Sequence, residues 1–174
     1  MPLYFVAILA PEEIDVRVRE WKKYMLDQFG CKVALRSPAH ITIIPPFHLP
    51  VEMEQDLLQL LKYASAKQQK VSVSLKDFGA FKPRVIFVDV VATAELILAK
   101  TNVENIVFEA GYPIKQETRP FHPHITIANR DLRKADFYLA WKHFNAISYE
   151  ASFDADNITL LRSEKDGWVI AGIG

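Results

Sequence analysis

The chain has 174 residues, half of them hydrophobic and 24% charged, a balance that builds a globular core without covalent staples. Its 21 Lys and Arg match 21 Asp and Glu, so no global field draws it to nucleic acid or to a membrane surface. A lone cysteine, Cys31, excludes an internal disulfide framework and a cysteine-based zinc site, and fits a reducing cytoplasm.

The opening "LYFVAILA" (3–10) is continuously apolar and rich in strand formers, which predicts a buried first strand. It lacks the basic flank and cleavage site of a signal peptide and is too short to span a bilayer. Pro11, Glu12 and Glu13 suit a helix start, and Trp21, Met25 and Phe29 share one face of a helix that Gly30 ends. "HITIIPPF" (40–47) predicts a strand closed by Pro45 and Pro46. Residues 51–69 carry Leu57, Leu60, Leu61 and Ala64 on one stripe, a second helix.

Two strands follow, "VSVSLKDF" (71–78) and "RVIFVDVVA" (84–92), joined through Gly79 and the Lys82-Pro83 turn. Thr93 caps a third helix running to Ala110, with Gly111 as its stop. "HITIA" (124–128) is the next strand, residues 133–144 a fourth helix, and "ASFDADNITLLRSE" with "GWVIAGI" a closing hairpin. The order of elements predicts two similar α+β lobes within one domain over 1–174, each lobe holding one HITI strand.

The tetrad HITI thus stands at 40–43 and again at 124–127. Along a strand, residues two apart share a face, about 6–7 Å from each other. His40 and Thr42 therefore face one way and Ile41 and Ile43 the other, and the same holds for His124, Thr126, Ile125 and Ile127. A single strand His is most often a structural residue. Two copies in matched contexts point instead to a shared cleft, where one imidazole acts as base and the other as acid on opposite sides of a phosphorus atom. The two Thr hydroxyls can donate to the non-bridging oxygens as charge gathers there. Both proton transfers are then covered without a metal ion or other cofactor.

These residues resemble the two-histidine (2H) phosphoesterase superfamily, which carries paired His-x-Thr motifs. "AHITIIPPF" (39–47) and "RPFHPHITIA" (119–128) are similar to the two motifs of its bacterial 2′-5′ RNA ligase-like, RNA 2′,3′-cyclic phosphodiesterase branch, and "DFGAFKPRVIFVDV" (77–90) to the segment between them. The resemblance implies an α+β bilobal fold of pseudo-twofold symmetry, with two antiparallel sheets lining a central groove and helices outside. It implies hydrolysis of a cyclic phosphodiester, a 2′,3′-cyclic phosphate of a nucleotide or RNA end, with His40 and His124 as the acid–base pair and Thr42 and Thr126 as phosphate holders. Many relatives place Arg five residues after the second His; here Asn129 stands there and Arg130 follows.

Phe47 and Phe81 are candidates to stack a base, Arg84 and Arg119 to contact phosphate or ribose, and Trp168 to line the groove. His122, with His40 and His124, offers a weaker zinc-ligand alternative; His48 and His143 read as loop and surface residues. Two rival functions use the same cleft: 2′-5′ RNA ligation, the reverse reaction, and non-catalytic binding of a nucleotide or RNA. The expected partner is a cyclic nucleotide or RNA terminus, with no membrane and no metal. Because the two lobes supply the symmetry within one chain, a monomer is expected.

Overall fold

The computed structural model describes residues 1–155 and 157–174. Among the described residues, eight strands and four α-helices follow one another as β1 (Leu3–Leu9), α1 (Glu12–Phe29), β2 (His40–His48), α2 (Glu54–Ala66), β3 (Val71–Phe81), β4 (Val85–Val90), α3 (Ala94–Glu109), β5 (His124–Ala128), α4 (Lys134–Asn145), β6 (Glu150–Ala155), β7 (Thr159–Glu164) and β8 (Gly167–Ile173). They build two four-stranded antiparallel sheets, β2-β1-β7-β8 and β5-β4-β3-β6. The two orders superpose element by element: a motif strand at the edge, a central partner, then a third and fourth strand. In each lobe a helix connects the central strand to its motif edge, α1 from β1 to β2 and α3 from β4 to β5.

Local chemistry accounts for most element ends. Gly30 takes the left-handed conformation (φ 71°) that closes α1 and returns its N–H to Leu26, and Thr93 Oγ1 accepts from the Leu96 N–H at 3.2 Å to open α3. β2 runs on through Pro45 and Pro46 to His48, past the predicted stop. It is an edge strand, both prolines lie away from the core-facing positions, and the pairing with β1 shifts register between Tyr4 and Val6, so a bulge absorbs the residues that cannot donate.

The predicted closing hairpin holds between 159–164 and 167–173, and its first half is corrected. "ASFDADNITLLRSE" does not form one strand: residues 150–155 pair with β3 in one sheet and 159–164 with β1 in the other. The lobes are therefore interleaved, because the C-terminal hairpin β7–β8 completes the sheet begun by β1 and β2.

The two edges β2 and β5 lie against one another, while α1 also touches β5 and α3 touches β2. Asp131, just after β5, strengthens this join: its Oδ2 accepts the backbone N–H groups of Lys32 (2.6 Å) and Val33 (2.9 Å) from the other lobe. Isoleucines of both motifs are 0–1% exposed and sit in one core that runs beneath both sheets. Among the described residues, no helix is long and apolar enough to cross a membrane.

One polar knot ties α2 to its sheet. The hydroxyl of Tyr4 donates to Glu54 Oε2 at 2.8 Å, and Arg162 Nη1 donates to the same oxygen at 2.6 Å. Removing the carboxylate leaves a fully buried hydroxyl and a guanidinium without it. Glu54→Ala is expected to lower unfolding free energy by about 3 kcal/mol in urea titrations, with the motif histidines untouched.

Candidate active site

Both motif histidines are held in the same way. His40 Nδ1 lies 2.7 Å from the Pro38 carbonyl, and His124 Nδ1 lies 2.7 Å from the His122 carbonyl. A carbonyl only accepts, so each neutral ring carries its proton on Nδ1 and keeps a bare lone pair on Nε2. Each ring also leans on a buried phenylalanine from its central strand: Phe5 of β1 at 4.8 Å from His40, and Phe87 of β4 at 4.9 Å from His124. Phe81 approaches His124 edge-on at 5.1 Å, and Trp168 packs on Phe5 at 4.6 Å.

Helix α1 grips the turn that enters β2. Asp15 Oδ1 accepts the Ala39 N–H at 2.6 Å, and the buried Lys22 ammonium donates to the Ser37 carbonyl at 2.9 Å. Helix α3 grips the longer approach to β5: Glu104 accepts the Glu117 N–H at 3.1 Å while paired with Lys100 at 2.7 Å. In each lobe an acid and a buried lysine of the crossover helix therefore hold, directly or through one another, the segment that delivers the histidine.

Two cavities meet at the motifs. One of about 170 Å³ is lined by His40, Thr42 and Thr126, with Phe5, Arg130 and Trp168 on its walls. The other, about 380 Å³, is lined by Thr42 and His124, with Phe81, Lys100, Arg119 and Phe121. Thr42 belongs to both. The four motif residues thus line two neighbouring cavities that adjoin at Thr42.

Charges set the two imidazoles apart. Burial pushes His40 down to about 4, against support from the Pro38 carbonyl, and the Lys22 ammonium pushes the same way. Burial also lowers His124, but there the Asp89 carboxylate opposes the shift. Lys22 itself is pushed down to about 8 by burial.

The remaining candidates fall in different places. Phe81, Arg119 and Trp168 reach the cavities, Arg119 with its guanidinium on Glu117 at 2.8 Å. Phe47 does not: it is 6% exposed, packs near Tyr4, and otherwise borders an outer groove. Beyond the bulge that breaks the alternation at Ile44 and Pro45, Phe47 turns back into the core with the isoleucines. Arg84 also stays out of both cavities and lies in the β3–β4 turn. His122 is drawn to Asp89 (3.1 Å), and among the described residues no group of three His, Cys, Asp or Glu converges as a metal site. His48 ends β2 and is exposed, and His143 stacks on Tyr24 at 4.1 Å. Phe5, Phe87 and the gripping pairs of α1 and α3 were not singled out from sequence, since only strand pairing brings them to the histidines.

Gly79 of β3 leaves room for the Phe87 ring that backs His124; a Cβ there would collide with that ring. Gly79→Ala is expected to destabilise the protein by about 1–3 kcal/mol and to tilt His124. Thermal unfolding and the ring's NMR shifts, compared with wild type, check it.

Comparison with known proteins shows the family and the fold. Residues 10–167 match the family of the 2′-5′ RNA ligase superfamily. An RNA 2′,3′-cyclic phosphodiesterase of Thermus thermophilus is 29% identical over 133 residues, covering 72% of this chain and 67% of that protein. The crystal structure of a Thermus thermophilus protein, TT0787, matches with a TM-score of 0.70 at 24% identity, covering 99% of this chain and 96% of that one. Escherichia coli LigT, crystallised with 3′-AMP, matches with a TM-score of 0.68 at 23% identity over 100% and 98% of the two chains, and shares the fold. With both His-x-Thr strands inside the matched span, the chain belongs to the 2′-5′ RNA ligase superfamily of two-histidine phosphoesterases.

Proposed function

We propose that the chain hydrolyses a cyclic phosphodiester, the 2′,3′-cyclic phosphate of a nucleotide or RNA end, by paired imidazole catalysis that needs no metal ion. The observation that carries this reading is the matched pair of Nδ1–carbonyl bonds, which leaves a free Nε2 on each ring, beside two cavities that share Thr42. The named Thermus relative supports the substrate class. His40, beside the Lys22 cation, is the base: its Nε2 takes a proton from water as the water oxygen bonds to phosphorus. His124, with Asp89 across the strand pair, is the acid: its Nε2–H protonates the ribose oxygen as the P–O bond breaks. Thr42 and Thr126 donate to the non-bridging oxygens. The bound phosphate anion raises the lowered affinity of His124 for its proton, so substrate itself loads the acid.

The wider cavity on the His124 side, about 380 Å³ with Phe81 and Phe121 on its walls, has the volume of a small-molecule site. It therefore suits the nucleoside that carries the leaving ribose oxygen, the oxygen that His124 protonates.

His40→Ala and His124→Ala are each expected to reduce turnover of a 2′,3′-cyclic nucleotide by about 10²–10⁴-fold, and Thr42→Val or Thr126→Val by about 10²-fold, with circular dichroism unchanged and activity insensitive to EDTA. Full activity in either His variant overturns the mechanism.

The pH profile gives an independent check. Productive free enzyme has His40 neutral and His124 protonated. Its kcat/KM is expected to rise through pH of about 4 and to fall again below the ordinary imidazole value of 6.5, since both rings are shifted down. The alkaline limb of kcat moves to higher pH than that of kcat/KM. A kcat/KM flat from pH 4 to 7 contradicts the assignment.

A further inference from the structure

Arginines in this protein are, with two exceptions, engaged. Among the described residues the guanidinium groups at 17, 19, 119, 133 and 162 pair with carboxylates and that of Arg36 with the Lys165 carbonyl. Arg84 and Arg130 have no such partner, and both line the same open groove, where Lys134 joins them. Antiparallel pairing of β4 with β5 explains the convergence. Ile86 stands opposite Ala128, so the turn before β4 and the turn after β5 lie side by side, and both arginines reach the one groove.

The carboxylates that could neutralise the cluster are turned elsewhere: Asp131 to the Lys32 and Val33 N–H groups, and Asp136 to Arg133. This groove shares Asn129 and Arg130 with the cavity that holds His40, Thr42 and Thr126. Three cations without a carboxylate partner, in a groove that adjoins the motif cavity through Asn129 and Arg130, fit a second phosphate.

We infer that Arg84, Arg130 and Lys134 form a subsite for an upstream phosphodiester of an RNA strand whose cyclic end sits at the histidines. This deepens the proposed function and rests on it. A 2′,3′-cyclic mononucleotide has no second phosphate to place there, so the subsite discriminates in favour of strands. The contact is between charges and phosphate oxygens, exposed to solvent and therefore sensitive to salt.

The test uses the Arg84→Ala/Lys134→Ala double variant, since Arg130 also borders the motif cavity. Fluorescence anisotropy of a labelled pentaribonucleotide ending in a 3′-phosphate, which is not turned over, reads strand binding. Competition by a nucleoside 3′-monophosphate reads the motif site alone. The expected result is roughly tenfold weaker pentanucleotide binding in the variant, a salt slope smaller by about 1.4 if two phosphate contacts are lost, and unchanged competition by the mononucleotide.

Equal pentanucleotide affinity in wild type and variant, equal loss for strand and mononucleotide, or no pentanucleotide binding at all overturns the inference. Turnover of 2′,3′-cyclic mononucleotide by wild type is measured separately. Its absence counts against the proposed function, while the binding comparison still decides the subsite.

Discussion

An imidazole offers a free Nε2 only if something holds its Nδ1 proton and does nothing else. A backbone carbonyl two residues upstream meets that requirement, because it cannot donate, cannot titrate, and moves only if the strand moves. Here both histidines are fixed in this way at the same distance. The rest of the structure serves that constraint. α1 holds the Ser37–Ala39 turn through Lys22 and Asp15, α3 holds the approach to β5 through Glu104, and Asp131 ties the two lobes together.

Symmetry of fold is accompanied by asymmetry of charge, and in the proposed mechanism that asymmetry separates base from acid. Two identical rings in identical surroundings would titrate together and neither would prefer a role. A buried lysine reaches the turn beneath His40, whereas an aspartate lies across the strand pair from His124. The first favours an uncharged ring and the second favours a charged one. The duplicated scaffold thus places the groups, and residues outside the duplicated tetrad distinguish them.

Much of this was legible in the letters, and the boundary of legibility is physical. Period-two alternation alone placed His40 and Thr42 opposite Ile41 and Ile43, and the burial of those isoleucines agrees. Gly30 and Thr93 act at short range, where cap chemistry is local, and both perform as read. What failed to show was pairing between distant segments. "ASFDADNITLLRSE" reads as one strand because both parts alternate well, yet its halves find partners in different sheets. Phe5 and Phe87 look like ordinary core residues until β1 and β4 are known to neighbour the motif strands.

Net charge was the least informative number for the same reason. A sum of zero records nothing about where charges stand or which are already paired. Most guanidinium groups are spent on carboxylates across the outer surface, so the few left over weigh more than their number suggests. An arginine already bonded to a carboxylate must give up that bond to accept a phosphate. One without such a partner need not, and its binding energy is available in full. Where the residual cations collect, rather than how many the chain contains, decides which anion the groove can hold.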